Sequence, residues 1–350
     1  MTGDDRHCTR AIRNPAVAAG DQMVDLTLLL VGDVMLGRGV NQELAYRAPD
    51  YPWGDTLALF ERADFRVANL ECTISDRGAP WPEKKFTFRS DAKNIAVLTA
   101  GRIDAVSLAN NHSLDFGPDA LADTLAILDR AGIAHAGAGT DLTAAFKPGC
   151  STVRDIKIGL ISFTDDQPRW EAGSGRPGIA YVPVDFREDR AEHLFDTIRS
   201  ARSVTDVLIV AAHWGPNWGY SPPPGQIPFA HRMVELGADV VFGHSGHVVR
   251  GVEIYRGRPI IYCAGNFIDD YAVDTDERND QSFVFLYRTG RDGAARQLLL
   301  YPTVIAKCQA RMAAAHEAEQ IAAKMARLCE NFGTTPVWNA REQCLEIASK

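Results

Sequence analysis

The residues able to do chemistry in this sequence sit where short apolar runs end. Asp33 closes LTLLLVGD and Glu71 closes RVANLE. Asn110, Asn111, His112 and Asp115 end or follow IDAVSLANNH, His213 falls in DVLIVAAHWG, and His244 and His247 fall in ADVVFGHSGH. Carboxylates, an amide carbonyl and neutral imidazoles together suit a divalent transition metal such as Mn, Fe or Zn better than Ca or Mg. The set is large enough for one ion, or for two that share a carboxylate. Such an ion lowers the pKa of a bound water and offsets developing negative charge. Each fragment alone has a blander reading. Asp33 can be a turn residue, Glu71 a cap, His213 a satisfied core histidine and GHSGH a flexible loop. Their shared position at run ends favours the metal, because polar groups there need a partner.

Such residues need elements to carry them. The patterning predicts strands at 26–33, 66–71, 103–112, 156–163, 206–215 and 238–247. Helices are expected over 118–131, 187–202 and 226–236, and a last one over 309–331. After residue 250 the runs VEIY, PIIYCAGNF, SFVFLYR and RQLLLYPTVI read as strands with little helix between them. Alternating strands and helices mean an α/β fold with a mainly parallel sheet, or two sheets, under helices. Ligands of such sheets bind outside the carboxyl ends of the strands. Residues 1–25 read as a mobile leader, 26–305 as one catalytic domain and 306–350 as a C-terminal helical extension.

Composition bounds the function. The chain has 350 residues, 46% hydrophobic and 23% charged, the mix of an ordinary folded globule. With 45 acidic and 37 basic residues the net charge is -8, which argues against nucleic acid and against an anionic membrane surface. The apolar runs are far shorter than the ~20 residues of a spanning helix, and the first 25 residues contain no apolar signal core. Seven scattered cysteines at no zinc-motif spacing read as reduced thiols. The expectation is a cytoplasmic protein, with a homo-oligomer through the Ala-rich last helix left open.

The segments GDVMLGR (32–38), NLECTIS (69–75), KKFTFR (84–89), ANNHSLDFG (109–117), HWG (213–215), GADVVFGHSGHVVRGVE (237–253) and IIYCAGNF (260–267) occur in an order that resembles the poly-γ-glutamate capsule-synthesis (CapA-type) proteins. These are similar to the calcineurin-like metallophosphatase superfamily. The resemblance implies a four-layer α/β/β/α sandwich with a metal centre at the strand ends. It implies Asp33 as the first-strand ligand, Glu71 as the bridging carboxylate and Asn111 as an amide ligand. His213 and His244 would ligate one metal and His247 the other, with His112 as the acid/base or oxyanion-contacting histidine. There are departures: Met35 stands where phosphatases have a histidine, Glu71 replaces an aspartate, and Gly246 replaces the capsule family's proline.

Fold and metal leave the reaction open. The resemblance extends to phosphoesterases, to capsule proteins that handle poly-γ-glutamate, and to enzymes that epimerise the C-terminal residue of a ribosomal (lasso) peptide precursor. The lack of an anchor points towards the third. Epimerisation needs proton-transfer groups on both faces of Cα. His112 is one candidate; the other is Asp115, Asp33 or a histidine released from the metal. Trp214 and Trp218, with Tyr220 and the prolines behind them, offer an apolar wall. Arg38, Lys85 and Arg89 could grip a carboxylate, whereas Lys84 reads as a solvated base. The expected function is therefore a metal-dependent peptide epimerase. The alternatives are a metallophosphoesterase, or a poly-γ-glutamate-binding protein without turnover.

Overall fold

The computed structural model describes residues 26–348, and the expected N-terminal leader lies outside the described residues. The chain first lays down β1 (Leu26–Val34), β2 (Phe65–Leu70), β3 (Ala105–Ser107) and β4 (Ala134–Ala136), all parallel. It then builds a six-stranded second sheet from β5 (Gly149–Val153), β6 (Ile156–Thr164), β7 (Val207–His213), β8 (Val240–His244), β9 (Arg250–Tyr255) and β10 (Arg258–Cys263). It returns to the first sheet with β11 (Asn266–Ile268), β12 (Gln281–Thr289), β13 (Ala295–Ala306), β14 (Gln309–Met312), β15 (Val337–Asn339) and β16 (Cys344–Ala348). The first sheet has ten strands, in the order β15-β16-β13-β12-β1-β2-β3-β4, with β11 beside β1 and β14 beside β13. The second runs β9-β10-β8-β7-β6-β5.

Side chains on a strand alternate between its faces, and the apolar clusters follow that rule. Leu28 and Leu30 of β1 join Val207, Ile209 and Ala211 of β7 in one cluster between the sheets. Leu29 and Val31 face the opposite way, with Leu121, Leu125 and Leu128 of α1 (Gly117–Ala131). Leu208, Val210 and Ala212 pack with Leu194 and Ile198 of α2 (Asp189–Arg202) and with Phe229 and Met233 of α3 (Gln226–Glu235). The fold is thus mixed α/β, with helices over the outer faces of two sheets, consistent with a calcineurin-like α/β fold.

Three expectations change. The strand expected at 103–112 is only Ala105–Ser107, because Asn110 N–H turns back to Leu108 O at 3.0 Å and takes the following residues out of the ladder. The last helix, α4, is Ala315–Glu330; Gln309–Met312 is instead a strand paired with β13. Lys307 and Cys308 between these strands have φ of 55° and 59°, the backbone of a tight two-residue hairpin. The stretch read as a helical extension therefore also gives three strands to the first sheet. Cys72, Cys263, Cys308, Cys329 and Cys344 are free thiols. Cys150 departs from the expectation, since it is disulfide-bonded. Among the described residues no helix is long and apolar enough to cross a membrane.

Candidate metal centre

The centre forms where β1, β2, β7 and β8 end together. His213 and His244 are in register on adjacent parallel strands, so their rings leave the sheet side by side, Nδ1 to Nδ1 at 2.9 Å. Asp33 needs a special device to reach them. By simple alternation it would share the outer face with Leu29 and Val31. The pairing of β1 with β2 slips between Val31 and Asp33, and this bulge turns Asp33 towards the histidines. Its Oδ1 then lies 4.0 Å from His244 Nδ1. Gly32, at the bulge, has no room for a side chain: a Cβ there would meet Gly265 O at 1.9 Å.

Asp33, His213 and His244 each offer a ligand atom within 4.8 Å of the others, and all three are buried. Asp33 Oδ2, Glu71 Oε2, Asn111 Oδ1 and His244 Nε2 are buried with no hydrogen-bond partner. Burial pushes the Asp33 carboxyl up to about 7. It drives Glu71 well above the usual range, with the charge of Asp33 adding to the rise. Burial also holds His213 well below the usual imidazole value and pulls His244 down to about 3, so both rings are neutral, the form that ligates. Facing carboxylates, neutral imidazoles and orphaned acceptors fit a divalent cation. His247 Nδ1 contacts Asn266 Oδ1 at 3.1 Å, which leaves Nε2 for a ligand. Ser245, between the two histidines, is strained at φ 98°.

A relay of amides ties the strands together. Asn69 Nδ2 donates to Asp33 Oδ1 at 2.7 Å, Asn110 Nδ2 donates to Asn69 Oδ1 at 3.1 Å, and His112 N–H donates to Asn110 Oδ1 at 3.0 Å. His112 Nδ1 lies 2.5 Å from Asp115 Oδ2, which also accepts from Phe88 N–H at 2.6 Å. Asp115 Oδ1 accepts from Lys84. With Asp115 acting as acceptor, Nδ1 carries the proton and the Nε2 lone pair is free, 3.9 Å from Glu71 Oε1. Phe88 stacks on the imidazole at 3.9 Å.

A cavity of about 370 Å³ opens beside these groups, lined among others by Arg38, Lys84, Lys85, Phe88, His112, Trp218, His247 and Tyr271. Arg38, Lys85 and Trp218, expected as substrate contacts, line this cavity. Two expected substrate contacts are not. Trp214 is fully buried against Phe163, with Nε1–H donating to Tyr262 O at 3.1 Å, because its position on the strand continuation faces α3. Arg89 turns away to Arg77 O and Gly78 O and lies over Phe116. Asp115 is fully buried with both oxygens engaged, so it holds His112 rather than facing a substrate. Lys84 corrects the solvated reading: it bonds Asn111 O and Asp115 and lies over Trp170. Tyr271, Asn69 and Asp269 were not singled out by sequence. The segment after GNF carries two adjacent aspartates, the one signal available for the last.

The model of the family described as bacterial capsule synthesis protein PGA_cap matches residues 27–271. A Mycobacterium tuberculosis protein named probable polyglutamine synthesis accessory protein is 34% identical, covering 88% of this chain and 92% of its own. The PGA biosynthesis protein CapA of Bacillus subtilis is 27% identical, covering 77% of this chain and 70% of its own. A solved structure of a hypothetical protein from Thermus thermophilus aligns with a TM-score of 0.46 at 13% identity, covering 79% of this chain and 98% of that one. With a family match over most of its length, and a centre built from the matched segment, this chain belongs to the bacterial capsule synthesis protein PGA_cap family.

Proposed function

We propose that this chain is a metal-dependent enzyme that moves protons on a carboxylate-bearing peptide and inverts the Cα of its C-terminal residue. One observation carries the reading: a free imidazole nitrogen, His112 Nε2, stands beside the buried carboxylates in a cavity that also holds Arg38 and Lys85. Asp33, Glu71, Asn111, His213, His244 and His247 would hold the metal, one ion or two. When bound, it would polarise a carboxylate or carbonyl oxygen and acidify the adjacent Cα–H.

The chain's own residues do the rest. Arg38 and Lys85 bind the terminal carboxylate. Phe86, Phe88 and Trp218 seat the neighbouring side chain and exclude water. His112 Nε2 accepts the Cα proton, its tautomer held by Asp115. Tyr271 lines the same cavity with a buried hydroxyl that has no partner, and it returns a proton. The name of the mycobacterial relative, a probable polyglutamine synthesis accessory protein, supports a peptide-like substrate. The cavity suits one terminal residue better than a length of polymer. Phosphoester hydrolysis is the second reading, favoured by the orphaned Asn111 Oδ1 beside His112.

The test is incubation of the Mn²⁺-loaded chain in D₂O with α- and γ-linked triglutamate and with a peptide ending in tryptophan. The expected result is deuterium at one Cα, with a D-residue and no cleavage. Phosphate release from an aryl phosphate without exchange would turn the assignment to a phosphoesterase. If neither reaction occurs, both readings fail and a binding protein without turnover remains.

A further inference from the structure

Arg38 meets the cavity in a backbone conformation that arginine rarely takes. Its φ is 50°, in the left-handed region, although glycines stand on either side of it. A glycine at this position would adopt that angle at no steric cost. Such strain persists where the surroundings over-determine it. The surroundings here are one carboxylate and two rings. β11 runs parallel to the end of β1, and Met35 N–H donates to Ile268 O at 2.9 Å. The chain leaving β11 therefore passes beside the chain leaving β1, which brings Asp270 to Arg38. Asp270 Oδ2 lies 3.2 Å from Arg38 Nε and accepts from Gly39 N–H at 2.9 Å. The guanidinium carbon lies 5.5 Å from the ring centre of Phe88 and 5.7 Å from that of Tyr271.

Asp270 is committed to this neighbour. Its side chain is 15% exposed, and its Oδ1 is buried with no partner, so its interactions are spent through Oδ2 on Arg38 and Gly39. The packing is close: a Cβ on Gly39 would meet Asp270 Oδ2 at 2.8 Å. Arg38 is not used up in return. Among the described residues its one ion pair runs through Nε, which keeps the Nη1 and Nη2 donors for a ligand. An arginine tied at Nε and flanked by rings loses little freedom when its outer edge meets a carboxylate. The other cations of the cavity are less suited. Lys84 is engaged by Asp115, and Lys85 is exposed. The directed carboxylate contact therefore falls to Arg38.

We propose that Asp270 is a positioning residue that makes the cavity selective for a free carboxylate. By holding Arg38 it presents the Nη edge to the terminal carboxylate of a peptide and discriminates against the corresponding amide. The proposal rests on the carboxylate-binding part of the reading above and adds the residue that sets its selectivity. It needs neither the metal nor the proton transfer.

The test is calorimetric titration of the full chain with N-acetylphenylalanine and with its C-terminal amide. The wild type should bind the acid roughly 10- to 100-fold more tightly than the amide, the reach of a charge-assisted hydrogen bond. Asp270→Asn keeps the shape and removes the charge. It should bring that ratio towards one by weakening the acid, with the amide unchanged. Gly39→Ala pushes the same carboxylate away without altering its charge, and it should act in the same direction. Thermal melting checks that each variant is folded, and either folded variant decides. An unchanged ratio overturns the proposal and leaves carboxylate binding by Arg38 standing. Tighter binding of the acid by Asp270→Asn also overturns it, since Asp270 would then compete for Arg38. No preference in the wild type sinks the carboxylate contact and the proposal together. The readout is binding alone, so a failure of Cα exchange is a separate result.

Discussion

At His112 three neighbours decide what the imidazole can do. Asp115 accepts the hydrogen bond from Nδ1–H, Lys84 braces Asp115, and Phe88 fixes the plane of the ring. His112→Ala should lower Cα exchange by about 10²- to 10⁴-fold, the range of a single acid/base group. The ion count should not change, and a fall in bound metal would instead mark His112 as a ligand. Lys84→Met tests the brace. It should reduce kcat with KM nearly unchanged, because Lys84 acts through Asp115; a rise in KM alone would make it a substrate contact. The ligand types were legible in the sequence because aspartate, glutamate and histidine are rare at the ends of apolar strands. Lys84 was not legible, since lysine on a polar loop reads as solvated. Only the fold reveals that Asn111, His112 and Asp115 curl around its ammonium.

At the scale of elements, a single backbone slip decides whether the centre exists. The bulge before Asp33 moves one carboxylate from the α1 side of the sheet to the histidine side. Gly32→Ala should abolish the close approach of β1 to Gly265 and destabilise the fold by about 3 kcal/mol or more, since the obstruction is backbone. Melting temperature reads this directly; a variant as stable as the wild type would show that β11 can move aside. The parallel strands and their helices were legible because apolar runs of strand length alternated with helical periods. The bulge was not, because period-two reasoning assumes an unbroken ladder. The hairpin at Lys307 and Cys308 escaped for a related reason: neither residue is a favoured turn former, and the Ala-rich pattern beyond it extends the helix backwards on paper.

At the scale of the molecule, a chain of net charge -8 gathers Arg38, Lys84 and Lys85 around one cavity. A carboxylate substrate should therefore feel local attraction against general repulsion. KM for triglutamate should rise as salt goes from 0.05 to 0.5 M by roughly the few-fold expected for exposed charges a Debye length apart; no salt effect would remove Arg38 and Lys85 from the binding role. The last strands matter as much. Cys344, Leu345 and Ile347 are buried, and the leucine and isoleucine are each worth about 1.5–3 kcal/mol when fully packed. Ending the chain at residue 332 should give an aggregating protein without a cooperative melt, and a soluble truncated form with normal melting would show the tail to be dispensable. The sheet order has a further consequence, in the timing of synthesis. The second sheet is continuous in sequence, but β1 waits for β12, and β13 waits for β16. A nascent chain can close its middle while its first strands still show an open edge, which is where chaperones bind and neighbouring chains pair. The candidate metal centre, with side chains from the early strands and from the middle, can then be braced by β11 only after most of the protein has left the ribosome.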